Sequence, residues 1–189
     1  MKLQIKRLHP NAILPIRAYP TDSGLDLAAC LDEPVVIPPA ITKKLDKPYI
    51  KTWDYVTEIE TELIEYSTTA GKQLIPTGIA IELPEAKYTN WMTGTSFDKV
   101  VYEAVIRPRS GLANKHFISC HLGTIDQQYR GQIFVNMYNY SDKPFVVEHG
   151  MKIAQLVINP IIIPDKVVEV TDLSETDRGN SGHGSTGVK

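Results

Sequence analysis

Thirteen prolines and twelve glycines cut this 189-residue chain into short pieces, and that punctuation limits the fold more than any other feature. Proline removes a backbone donor and glycine raises the entropic cost of regular structure, so long helices are disfavoured. Within the pieces, apolar residues recur with period two or in short β-branched runs, the texture of strands. Leu3 and Ile5 alternate with charges, and 35–37 is a β-branched run closed by Pro38 and Pro39. Residues 74–83 read as one strand with a kink at Pro76 and Gly78. Further strands are predicted at 102–106, 117–122, 132–138, 145–147, 153–158 and 167–170, separated by Gly, Pro, Asn, Asp and Ser. Many short strands at close spacing predict an all-β fold: an antiparallel sandwich, jelly roll or barrel. The clearest helical turn is 110–115, with Ser110 placed to cap it.

A chain of this length that is 42% hydrophobic and 22% charged builds one compact domain; this excludes a disordered chain and a disulfide-stapled miniprotein. The formal charge of -2 gives no general pull toward nucleic acid or an anionic membrane. No stretch approaches the roughly 20 apolar residues of a membrane span, and residues 1–10 alternate charged with apolar residues instead of forming a signal core. The expectation is a soluble, cytoplasmic protein. Cys30 and Cys120 are far apart, with no second thiol nearby, and read as buried small hydrophobes, not zinc ligands or a redox pair.

Three regions break the rhythm. In 40–73, Trp53, Val56, Ile59, Leu63 and Tyr66 recur at helical spacing while Tyr55, Thr57, Ile59, Thr61 and Leu63 alternate; the threonines favour strand. Residues 86–101 read as a long loop. From Asp172 onward there is almost no large apolar residue after Leu173, and four of the twelve glycines fall between Gly179 and Gly187. By composition this is a frayed terminus.

Three constellations have chemical possibilities. Pro108, Arg109, Ser110 and Gly111 put a cation and a hydroxyl at a helix start, where backbone amides favour an anion. GTIDQQYRG at 123–131 places Asp126 in a turn with Tyr129 three residues on, although a turn Asp is ordinarily only that. Arg178, Gly179 and then Gly182, His183, Gly184, Ser185, Thr186 and Gly187 look like a phosphate-cradling loop. No Lys precedes the Ser-Thr pair, so this is not a P-loop.

Together these segments are more specific than any one alone. TDSGLDLAA at 21–29, RPRSGLA at 107–113, GTIDQQYRGQI at 123–133, GMKIAQLVI at 150–158 and RGNSGHGSTG at 178–187 resemble, in order, the five motifs of the trimeric dUTP diphosphatases (dUTPases). IPTGIAIELPE at 75–85 is a further family-like segment. The resemblance implies a β jelly roll over 1–171 that assembles as a homotrimer, with active sites shared between subunits. It makes 172–189 an arm that closes over the nucleotide, in place of a frayed end. The implied reaction is Mg²⁺-dependent hydrolysis of dUTP to dUMP and pyrophosphate by water attack at the α-phosphorus.

By the same resemblance, Asp126 orients and deprotonates the water. Tyr129 packs beneath the deoxyribose and leaves no room for a 2′-hydroxyl. The main chain around Gly123 and Ile125 pairs with uracil, and the tight hairpin excludes the thymine methyl. Arg109, Ser110 and Gln155 hold the phosphate chain, Arg178, Ser185 and Thr186 clamp the γ-phosphate from the arm, and Gly111 and Gly184 also bind substrate. Asp26 touches the water shell of Mg²⁺, and the ion itself is held by the phosphates.

Departures from the pattern are His183 where Phe often stacks on uracil, Lys152 where Arg is usual, and Gln132 where Glu is common. The last two look peripheral to the chemistry. Residues 40–73 and 86–101 look longer than the family's usual connections, and they read either as tolerated insertions or as a protein-partner surface carrying Trp53, Tyr55 and Trp91. A dCTP deaminase, or the bifunctional deaminase that also hydrolyses dUTP, is the nearest alternative, but these need a Glu by the pyrimidine, and 116–131 offers only Asp126. A non-catalytic nucleotide binder is opposed by the presence of Asp126, Tyr129, Arg109, Ser110, Gln155 and Arg178.

Overall fold

The computed structural model of the chain describes residues 2–44, 51–54, 59–62, 66–85, 87–88, 99–164 and 166–179. In chain order its strands are β1 (Gln4–Arg7), β2 (Leu25–Ala28), β3 (Val35–Ile37), β4 (Ile41–Lys44), β5 (Lys51–Asp54), β6 (Ile59–Glu62), β7 (Tyr66–Thr69) and β8 (Gly71–Pro76). They continue as β9 (Ile79–Glu82), β10 (Lys87–Tyr88), β11 (Lys99–Arg107), β12 (Ile118–Cys120), β13 (Gly123–Ile125), β14 (Phe134–Asn139), β15 (Phe145–Val147) and β16 (Lys152–Ile162); a short helix, α1 (Ser110–His116), lies between β11 and β12.

The architecture is an all-β jelly roll in which the described strands pair antiparallel. The sheet that positions the site runs β10-β11-β16-β2, with β13 also on β11. β13 and β16 occupy opposite edges of β11, since Ile106 faces Gly123 on one side and Leu156 on the other. A second sheet runs β12-β14-β8, and β15-β3 and β1-β9 are two-stranded.

Side-chain alternation produces the core. Along β14, Val135, Met137 and Asn139 are buried and the residues between them are not, as the two-residue strand period requires. Val135 and Met137 join Leu27, Ile37, Ile75, Ile79, Ile118, Val147, Ile153 and Leu156 in one apolar cluster, each burial worth about 1.5–3 kcal/mol. Asn139 is fully buried yet satisfied: Nδ2 donates to the carbonyls of Ile37 and Lys143, and Oδ1 accepts from the amide and hydroxyl of Ser141. This network ties β14 to β3 without an orphaned polar group. Cys30 and Cys120 are buried, as expected, and burial pushes the Cys120 thiol up to about 11.

The nested pairs β4–β7 and β5–β6 bear out the strand reading of 40–73 where it is described, with Thr42 and Thr68 hydroxyls hydrogen-bonded across the outer pair at 3.1 Å; residues 45–50, 55–58 and 63–65 lie outside the described residues. Other expectations need correction. The interruption of 74–83 at Pro76 and Gly78 is more than a kink: Gly78 takes φ +68°, and β8 and β9 enter different sheets. A Cβ at Gly78 would lie 2.7 Å from Cys30 Sγ, so the turn needs glycine for both conformation and space. Residues 86–101 are not wholly loop, because Lys87 pairs with Val100 and Tyr88 with Lys99; 89–98 lie outside the described residues. Residues 167–170 form no strand, and Val167 and Val168 are exposed, because no backbone among the described residues pairs with them in a ladder. Ser110 does not cap α1. Arg109 is the N-cap residue, without a side-chain cap bond, and the helix ends on Phe117 at φ 55°, whose amide reaches the carbonyls of Ala113 and Leu112.

Candidate active site

Two groups of the expected residues come together, at different places on the sheet. The first is the hairpin after β13. Gly123 and Thr124 pair with Ile106 and Val105, and beyond Ile125 the chain turns, with the Tyr129 amide donating to the Asp126 carbonyl at 3.0 Å. Asp126 is exposed. It stands on the rim of a cleft of about 240 Å³ lined by Ile106, Gly123, Ile125, Tyr129, Ile133 and Phe134 among others. Apolar walls, strand backbone and one carboxylate at the mouth suit a flat ring whose polar edge is met by main chain. The Tyr129 hydroxyl donates to the Gln132 carbonyl at 2.9 Å, and its ring lies against Gly131, where a Cβ would fall 2.4 Å from the hydroxyl oxygen.

Two side chains brace this turn, neither of them among the candidate site residues. Gln127 accepts from the Tyr102 amide and donates to the Pro84 carbonyl. Arg130 Nη1 donates to the carbonyls of Gln127 and Tyr129, and Nη2 reaches Glu82 at 3.0 Å. The backbone that follows Asp126 is thus fixed by side chains, and the backbone before it by the β13–β11 ladder. Their signal was present in the QQYRG string, but only register shows that Gln127 meets β11 and Arg130 meets β9.

The second group is built on β2, β16 and the start of α1. Asp26 faces Gln155 across the β2–β16 ladder, and Gln155 faces Arg107 across β16–β11. Gly24 makes this close approach possible, since a Cβ there would lie 2.9 Å from Gln155 Cβ. Asp26 is buried, and its oxygens face two cations: Arg109 Nη1 at 3.3 Å and Lys152 Nζ at 2.9 Å. Ser110 and Gly111 are exposed beside them at the head of α1. Two cations against one carboxylate leave the cluster positive, which suits an anion. Lys152, taken from the sequence as peripheral, is therefore part of it.

In the third group, Arg178 is described and exposed, in a turn closed by the Gly179 amide on the Thr176 carbonyl. His183, Gly184, Ser185 and Thr186 lie outside the described residues.

One chain does not bring the first two groups to one point. The strand order β13-β11-β16-β2 puts Asp126 and Asp26 on strands three spacings apart. With the offset along β11, their backbones are roughly 20 Å apart. Among the described residues, no cluster of three or more His, Cys, Asp or Glu could hold a metal ion. Asp26 does not suit a directly bound divalent ion, which would sit between two positive side chains. No helix among the described residues is long and apolar enough to cross a membrane.

The dUTPase family model matches residues 96–187. The chain is 40% identical over 191 residues to the deoxyuridine 5'-triphosphate nucleotidohydrolase of Hydrogenobaculum sp., covering 100% of both chains. Among solved structures it is similar to the dUTPase of Staphylococcus bacteriophage 80alpha with dUpNHpp (TM-score 0.69, 26% identity, 99% of each chain covered). It is also similar in fold to a dUTPase from phage phi11 of S. aureus described with a structural Mg(II) ion (TM-score 0.62, 22% identity, 93% of this chain and 100% of the other covered).

Proposed function

The chain belongs to the dUTPase family, and from that premise we propose how its residues divide the hydrolysis of dUTP to dUMP and pyrophosphate. The hydrolysis removes dUTP as a precursor of uracil in DNA and supplies dUMP. The cleft under the β13 hairpin takes the deoxyuridine. Main chain of Gly123 and Ile125 meets the uracil edge, and the Tyr129 ring supports the sugar where a 2′-hydroxyl would collide. Asp126 at the mouth holds the attacking water and accepts its proton, a role worth about 10² to 10⁴ in rate. Arg109, Ser110, Gly111 and Gln155 hold the phosphates, and the electron pair of the broken bond leaves on pyrophosphate oxygen against that positive cluster.

The observation that carries this reading is the strand order β13-β11-β16-β2, which by strand spacing sets the backbones of Asp126 and Asp26 of one chain roughly 20 Å apart. They cannot serve one α-phosphorus from the same copy. A homotrimer, in which the hairpin of one copy faces the Asp26, Arg109 and Gln155 cluster of another, completes the site. Residues 172–189 then form the arm that adds Arg178, His183, Gly184, Ser185 and Thr186 over the triphosphate. Mg²⁺ would be carried by the phosphates and offset their charge, and Asp26 would meet it only through water.

The test is to incubate the protein with Mg²⁺ and dUTP, UTP, dTTP or dCTP, assay pyrophosphate and ammonia, and measure mass by light scattering. Rapid pyrophosphate release from dUTP alone, from a particle about three times 21.1 kDa, is expected. Ammonia from dCTP would favour a deaminase, and full activity in a monomer would overturn the shared site.

A further inference from the structure

We propose that Lys152 is a positioning residue for the phosphate site, serving as the counterion of Asp26 so that the Arg109 guanidinium stays available to substrate. The inference rests on the reading that Arg109 binds the phosphate chain, and it gives a task to a side chain that the reading left idle. Asp26 is 7% exposed, so its charge must be compensated within the protein. Two cations are in reach, and they are not equivalent. Lys152 Nζ lies 2.9 Å from Oδ2, whereas Arg109 Nη1 is 3.3 Å from Oδ1 and is buried without a hydrogen bond. The closer partner is therefore the lysine. Arginine offers a fork of donors matched to phosphate oxygens, while lysine is a compact point charge, so the pairing sorts each cation to the anion it fits.

The backbone sets this arrangement. The ladder between β2 and β16 shifts register between Lys152 and Ala154, and such an irregularity re-aims the side chains on the bulged strand. Lys152 faces Ala28 in the ladder, yet its ammonium reaches back to Asp26, two residues along β2. With the lysine charge removed, Asp26 has only Arg109 to pair with. The cluster would go from one net positive charge to none, and the guanidinium would be drawn onto the carboxylate and away from an incoming anion.

The experiment titrates a non-hydrolysable α,β-imido analogue of dUTP into the full-length protein by calorimetry. Excess EDTA is present, so that no magnesium effect through Asp26 enters, and thermal melts confirm folding. Lys152→Met is expected to weaken analogue binding roughly tenfold, in the range of losing a charge contact at a partly screened site. In turnover assays it should raise KM for dUTP more than it lowers kcat. Lys152→Arg should restore both. The double variant Asp26→Asn/Lys152→Met regains the net positive charge and removes the competing carboxylate, so it should recover most of the lost affinity, which a merely structural lysine would not do.

Wild-type affinity in Lys152→Met, with weakened binding in Arg109→Met, would overturn the counterion role alone. Loss in Lys152→Met that the double variant does not recover would overturn it as well, leaving the lysine as a direct phosphate contact or a structural one. Undiminished binding by Arg109→Met would overturn the phosphate role of Arg109 and this inference with it.

Discussion

Gly131→Ala tests the placement of Tyr129 without touching a group that meets the substrate. Gly131 does not take a positive φ, so alanine is acceptable to the backbone, and the effect is steric. The added Cβ would lie 2.4 Å from the Tyr129 hydroxyl oxygen, 2.6 Å from Cζ and 3.0 Å from Cε2, where ordinary contact begins at 3.4 Å. The ring must therefore withdraw by about 1 Å, and the 2.9 Å bond from its hydroxyl to the Gln132 carbonyl cannot survive unchanged. Tyr129 is 46% exposed, so the ring can swing toward solvent and the stability cost stays near that of one hydrogen bond, about 1 kcal/mol. For a chain of this size that lowers Tm by about 2–4 °C. Activity should respond far more, since a 1 Å misplacement can cost on the order of 10²-fold.

The assay is kcat/KM for dUTP and for UTP in wild type, Gly131→Ala and Tyr129→Phe. In Gly131→Ala, dUTP turnover should fall by on the order of 10²-fold. UTP should fall less, because the ring that excludes the 2′-hydroxyl has moved, and the preference for dUTP should shrink. Tyr129→Phe keeps the ring and should keep most of the preference. If Gly131→Ala leaves both dUTP turnover and the preference at wild-type values, then contact with Gly131 does not place the ring, or the ring does not read the sugar.

Asp126→Asn should lower kcat by two or more orders of magnitude and still bind the non-hydrolysable analogue; retained turnover would move the base elsewhere. Arg130→Met should reduce kcat by roughly tenfold with little change in Tm. Its bridge to Glu82 joins two half-exposed side chains and is worth only about 0–1 kcal/mol, whereas its bonds to the carbonyls of Gln127 and Tyr129 hold the turn; a Tm loss matching the activity loss would argue for a global role instead. Cys120 should not react with a thiol reagent in the folded protein at pH 8 and should react in denaturant. Because its folded pKa is raised from 9.0 to about 11, its contribution to stability is fully present below pH 9.0 and is lost as pH rises toward 11. Urea unfolding at pH 8 and pH 10.5 should show that loss in the wild type and a smaller one in Cys120→Ala.

Local patterns gave away most of the strands, because period-two burial is written into runs such as 134–139 and 153–157. They also gave the hairpin Asp126–Tyr129 and the Arg109–Ser110 corner, since motif residues there are adjacent in the chain. Three features were not legible, each for a nonlocal reason. Gly78 separates two sheets because Cys30, from another part of the chain, fills the space a side chain would need. Gln127 and Arg130 brace the turn that carries Asp126 through Tyr102, Pro84 and Glu82. Lys152 reaches Asp26 only because β16 shifts register against β2.

What the sequence alone determined, then, is the all-β class, the family and the candidates for the reacting side chains, because each depends on order and spacing along the chain. What only the tertiary structure decided is which of those side chains share a charge, which share a cleft, and which stand roughly 20 Å apart on one sheet. Strand register and sheet order set those distances, through hydrogen bonds between residues far apart in sequence that no local pattern encodes.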